Sequence, residues 1–178
     1  QGVFNGPRFA RVPCDPPHGV PFLSQRDVFM MRPTGRRIAP PKVPRWQLHV
    51  EEGDLLVGSH GQFGGDGDLF GRVEYANEHL ASCAFTQDIL RIQTTPEDRG
   101  LVYAFLSTTL GLRLLRTTAV GTSIPSMRLG LLRALPIPTP TSAISAAIDA
   151  SVAAAVAARN AAHCAESEAV RGRSSHFA

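Results

Sequence analysis

Three prolines at positions 136, 138 and 140, followed by an alanine-rich run to residue 171, constrain this chain more than any other stretch. Proline fixes φ and lacks an amide donor, so Pro136-Ile137-Pro138-Thr139-Pro140 must be extended. Thr141 or Ser142 then supplies an N-cap, and a helix is predicted over 141–171. Thirty residues of helix reach about 45 Å. Ile144, Ile148, Val152 and Val156 recur at spacing four along it and form an apolar stripe. A helix of that length built from small residues has little to bury alone, so the stripe is expected to meet another helix in a coiled coil. The alternative is a terminal helix folded back on its own chain. Residues 172–178 should fray.

The preceding 140 residues carry a different pattern. Residues 1–21 are rich in Gly and Pro and read as an irregular arm lying on a sheet. Half-buried strand is predicted over 20–31, with a bend at Ser24-Gln25-Arg26, and a core strand at Leu55–Val57 that ends at Gly58. Further strands are expected over 69–75 and 85–92, the second interrupted at Gln87-Asp88. Thr94 to Asp98 is a helix start signal, and Leu101, Phe105, Thr109 and Leu112 recur behind it at helical spacing. Arg113 and Arg116 close that helix on one face. Ser126 is the expected N-cap of a short helix over 127–135. Together these define an α+β fold, with a mixed-sheet domain over 1–140 and the long helix over 141–171.

Two polar glycine loops and one basic loop stand out as candidate binding elements. The first loop, 58–68, leaves its backbone free to approach a ligand closely, and Ser59, His60 and Gln62 offer donors and acceptors. The second, 121–126, offers Ser123. The basic loop, 32–46, is broken by proline and carries Arg32, Arg36, Arg37, Lys42 and Arg45, so it is neither helix nor central strand. Its charges are either solvated or bound to an anion.

Composition bounds the rest. With 178 residues, 43% hydrophobic and 19% charged, the chain can fill one core and one appendage. Net charge is +3 and the sequence pI is about 9.1. Lys42 is the only lysine, and arginine can grip phosphate or a guanine edge with two parallel hydrogen bonds, although GC-rich codon usage enriches the same residue. Cys14, Cys83 and Cys164 are widely spaced and suggest neither a disulfide framework nor a zinc site. The expected compartment is the cytoplasm, with no membrane partner, because no apolar run is expected to approach the roughly 18 residues of a span. The chain begins with Gln and reads as an excerpt or a processed product. No cofactor loop is legible: no Gly-Lys-Ser/Thr closes the first glycine loop, and no glutamate completes a calcium set around Asp66 and Asp68. One enzymatic motif competes. Asp15-Pro16-Pro17-His18 resembles the Asp/Asn-Pro-Pro-aromatic motif of adenine methyltransferases, with His18 as a departure in the fourth position.

The order of these words resembles one target-recognition half of the specificity (S) subunits of type I restriction-modification systems. The similar words are Gly53 to Val57 before Ser59-His60-Gly61, then Gly71-Arg72-Val73, Asp88 to Ile92, and Tyr103 to Leu106. Gly121 to Leu129 follows, with Met127 where the family has Leu, and Leu132 to Pro138 forms the exit. On the helix, Ile148-Asp149, Arg159, Ala162 and Glu166 to Val170 are similar. The resemblance runs from about residue 9 to residue 171. It departs in having one recognition domain and one helix, and a longer loop over 65–69. It implies a non-catalytic subunit that binds double-stranded DNA and recruits methyltransferase (M) subunits and, through them, nuclease (R) subunits. A second recognition half or another copy would pair through Ile144, Ile148, Val152 and Val156. On that reading, side chains of the glycine and arginine loops are expected to reach DNA: Arg36, Arg37, His60, Gln62, Ser123 and Arg128 near it, with Arg72 and Arg113 on phosphate. A single-chain adenine methyltransferase and a coiled-coil adaptor without a DNA role are the competing readings.

Overall fold

The computed structural model describes residues 2–30, 35–62 and 68–174. In chain order the elements are β1 (Gly2–Asn5), β2 (Val20–Leu23), α1 (Gln25–Val28), β3 (Arg37–Ile38), α2 (Arg45–Leu48), β4 (Leu55–Gly58) and β5 (Val73–Tyr75). Then come α3 (Glu78–Ala81), β6 (Ala84–Phe85), β7 (Ile89–Gln93), α4 (Pro96–Leu106), α5 (Thr109–Thr117), β8 (Ala119–Val120), β9 (Ser126–Met127), α6 (Leu129–Arg133) and α7 (Ser142–Ser174). The fold is α+β.

A four-stranded antiparallel sheet in the order β1-β7-β4-β5 carries the core. Its period of two sorts residues to opposite faces. Leu55 and Val57 join Leu90, Ile92, Val102, Leu106, Leu115 and Leu132 on one side. Leu56 and Ile89 join Leu23, Val28, Val50, Leu80 and Phe85 on the other. Both faces are therefore covered, which is why β4 is buried at every position. A smaller sheet, β3-β2-β6, holds Phe22, Ile38 and Ala84 around a satellite cluster with Leu48.

Four expectations are revised by these elements. The arm over 1–21 begins as a true strand, β1, paired along its whole length with β7. The strand expected over 20–31 stops at Leu23, because the Ser24 amide and hydroxyl both donate to the Asp27 carboxylate and turn the chain into α1. The helix after Thr95 breaks in two: Thr108 caps α5 through Gly111, separating it from α4. Ser126 caps nothing. It pairs with Val120 in a two-stranded ribbon, and Arg128 stands at the head of α6. The core strand ending at Gly58 and the Thr95 cap, which accepts from the Asp98 amide, match expectation.

Buried Arg91 ties these layers together. Its side chain is 0% exposed, and its guanidinium donates to the carbonyls of His49 at 2.7 Å, Leu48 at 3.0 Å and Trp46 at 3.4 Å. It also lies over the rings of Phe4, 5.4 Å from the centroid, and Phe85, at 6.0 Å. Burial pushes its pKa down to about 10, with Asp54 pulling the other way, so the group stays charged at neutral pH.

The long helix α7 packs along α4. The Asp149 carboxylate accepts from the Leu101 amide at 3.1 Å, and it can do so because residue 100 is glycine: a Cβ there would collide with Asp149. Further along, Arg159 pairs with Glu74 of β5, and His163 packs on His79 of α3. A step of four residues advances by about 400°, so a spacing-four stripe drifts around the helix by about 40° per step. Ile148, Val152 and Val156 accordingly fall half-buried on the side that carries Asp149, whereas Ile144 is exposed. The helix over 142–170 is long and apolar enough to cross a membrane, with a mean hydropathy of 1.3 over its most apolar 18 residues, contrary to the expectation that no run qualified. That apolarity is mostly alanine, and the side bearing Asp149, Arg159 and His163 is docked on protein.

Candidate nucleic-acid interface

The two glycine loops, 58–62 and 121–126, lie edge to edge. The Gly61 amide donates to the Pro125 carbonyl at 3.2 Å, the Met127 amide donates to Ser59 at 3.1 Å, and His60 bridges Ser126. Close approach is built in at Gly58, whose Cβ would strike the Leu69 carbonyl. Gln62 and Ser123, both exposed, share one open concavity with Thr122 and Pro125. Residues 63–67, which include Asp66, lie outside the described residues.

Gln25 holds the first loop in place. Its side-chain amide donates to the His60 carbonyl at 2.8 Å and accepts from the His60 amide at 3.2 Å, so it pairs with the backbone as a neighbouring strand would. The sequence marks Gln25 only as a bend residue, and no local pattern reveals a partner 35 positions away.

Ser59 is fully buried and spent on structure, not available to a ligand as the sequence suggested. Its hydroxyl donates to the Asp88 carbonyl at 2.8 Å and lies 3.0 Å from His60 Nδ1. A hydroxyl has one proton to give, so Nδ1 must carry the proton of the second bond. A neutral His60 is thereby left with Nε2 as its acceptor. The Asp88 carboxylate, 3.8 Å from Nδ1, favours the same arrangement.

The arginines divide. Arg36, 55% exposed, donates to Asp27 at 2.9 Å; the 1% exposed carboxylate of Asp27 thus links Arg36 to α1, the element that carries Gln25. Arg37 is occupied with backbone: Nε donates to His18 at 2.6 Å and Nη2 to Gly19 at 2.7 Å. Those bonds clip the turn formed by Asp15-Pro16-Pro17-His18, where all four residues are exposed. Arg128 is exposed just beyond β9. Arg72 is exposed beside the start of the first loop: its carbonyl accepts from the Gly58 amide at 3.0 Å, and its Nε donates to the Asp68 carbonyl at 3.1 Å. Next to it Gly71 lies against Leu112 of α5, the neighbour of exposed Arg113. Arg116 does not share Arg113's exposure; its Nε donates to Phe70 at 3.2 Å. Arg32 lies outside the described residues.

Fold and loops together define a class: an α+β head presenting two paired polar loops, with a long helix packed along it. No family model matches the chain, and no curated protein does. Among solved structures it is similar to the S subunit of a type I restriction-modification system from M. genitalium. That likeness has a TM-score of 0.47 at 18% identity and covers 77% of this chain and 31% of that one, so the match spans about a third of the S subunit's length.

Proposed function

We propose that this chain is one DNA-reading half of a type I restriction-modification specificity subunit, directing methyltransferase and nuclease subunits to a target without catalysing a reaction itself. The observation that carries the reading is the meeting of loops 58–62 and 121–126, because it gathers His60, Gln62 and Ser123 at one edge. Two of the family words in the sequence, Ser59-His60-Gly61 and Gly121 to Leu129, fall on these loops. His60 in its neutral form would accept from an exocyclic amine on a base edge, Gln62 would both donate and accept, and nearby arginines would hold phosphate. The exposed alanine face of α7, through Ala147, Ala150, Ala154 and Ala158, together with Ile144, is left for a second helix from another half or another copy.

Selection of bound duplexes from a random pool tests the reading. One enriched sequence is expected, bound in preference to scrambled competitors and more weakly as salt rises. Equal, salt-insensitive affinity for both would leave an adaptor without a DNA role. Methyl transfer by the isolated chain would instead favour the enzymatic reading of Asp15-Pro16-Pro17-His18. On the enriched duplex, Arg36→Ala is expected to weaken binding by about 1–3 kcal/mol if that guanidinium reads a base. Arg37→Ala should act through head stability, by losing the clip on His18 and Gly19; because Arg36→Ala also takes the cation from the buried Asp27 carboxylate, binding by both variants is compared where chemical denaturation shows them fully folded.

A further inference from the structure

Two imidazoles meet where the far half of α7 touches the head. His79 of α3 and His163 of α7 have ring centroids 4.0 Å apart and planes tilted by 41°. His79 Nε2 is buried and makes no hydrogen bond among the described residues. We propose that this contact is an acid-sensitive latch, which holds the far half of α7 on the head while the rings are neutral and releases it on acidification.

The charges around the pair come from several elements. On β5, Glu74 is paired with Arg159 of α7, so that charge pair is internally compensated. Arg36, beside β3, is engaged with Asp27 of α1 and lines the same apolar hollow as His79, His163 and Glu166. Cys83, just beyond α3, has its thiol pushed up by burial and is neutral. Glu78 on α3 is exposed. Glu166, three residues beyond His163, is half-buried and lines that hollow. A proton on His79 would have to enter a buried ring whose Nε2 has no hydrogen-bond partner among the described residues and which faces the His163 imidazole, so the docked arrangement disfavours it.

The direction for His79 agrees: burial, then the facing His163, holds its pKa below the usual 6.5. The docked state therefore binds fewer protons than the released state. Docking is fully present above pH 6.5 and is lost as pH falls below it, the released population gaining about tenfold per pH unit for each extra proton bound. The near half of α7 stays anchored by Asp149 on the Leu101 amide.

Proton NMR of the whole chain tests the latch. Ring-to-ring cross-peaks between His79 and His163 are expected near neutrality and should be lost as pH falls below 6.5, while contacts between Leu101 and Asp149 persist. A His79→Gln/His163→Gln double variant should keep its α3–α7 contacts across the same range. Persistence of the ring contact in acid, or equal loss of α3–α7 contacts in the double variant, overturns the proposal. If the double variant does not fold, the wild-type titration alone still decides.

Discussion

An Arg91→Met variant is expected to lose on the order of 4 kcal/mol of stability, because three carbonyls, that of Leu48 buried and those of Trp46 and His49 partly so, lose a charged donor together. Methionine follows the unbranched stem of arginine and stops about two atoms short, so it fills much of the space and limits the packing loss. What goes is the simultaneous hold on Trp46, Leu48 and His49, which are 42 to 45 positions away in sequence. The cation contacts with Phe4 and Phe85 go as well. Urea denaturation would show the loss as a lower midpoint with little change in slope. Arg91→Lys should recover less than half, since an ammonium cannot reach three carbonyls with the geometry of a planar fork. A methionine variant as stable as the parent would mean that the three carbonyls find water instead.

Gly100→Val is the second large effect, and Gly100→Ala tests its cause by sign. Helix propensity alone predicts that alanine in the middle of α4 stabilises by about 1 kcal/mol. Geometry predicts the opposite, because a side-chain carbon at residue 100 meets the Asp149 carboxylate and comes within 2.9 Å of the Asp149 backbone. We expect Gly100→Ala to destabilise, and Gly100→Val to cost about 3 kcal/mol and lift α7 from α4. Thermal unfolding gives the sign, and protease sensitivity within α7 reports detachment. Adding Asp149→Ala to Gly100→Ala should recover only part of the loss, since the clash with the backbone of residue 149 remains. Stabilisation by Gly100→Ala would show that α7 does not rest on α4 at this point.

Much of this arrangement was legible in the sequence, and what was missed shares a physical reason. The Leu55–Gly58 strand, the Thr95 cap and the break before α7 are local signals, written in alternation, capping chemistry and proline. The two glycine loops were legible as loops. Their edge-to-edge meeting was not, because it depends on backbone bonds between residues 61 and 125. Gln25, Asp27 and Arg91 likewise owe their roles to partners distant in the chain or turned inward by the fold. The division of α4 from α5 was hidden by an apolar pattern that runs on through Thr108. The short β1 was hidden by a Gly-rich, Pro-rich setting that gives strand no local advantage.

The docking of α7 has a consequence for direction. Its contacts at Asp149, Arg159 and His163 touch three different elements, α4, β5 and α3, and each requires its residue to point at the head. One residue inserted between Asp149 and Arg159 would turn everything beyond it by about 100° and move it about 1.5 Å, so only one of the two anchors could be kept. The helix is therefore keyed in rotation as well as position, like a shaft seated in a slotted hub. The bearing of its alanine face relative to the paired loops is fixed within the chain. Any helix that settled on that face would inherit this bearing; under the proposed function, the angle between two loop edges would be set before either meets a ligand.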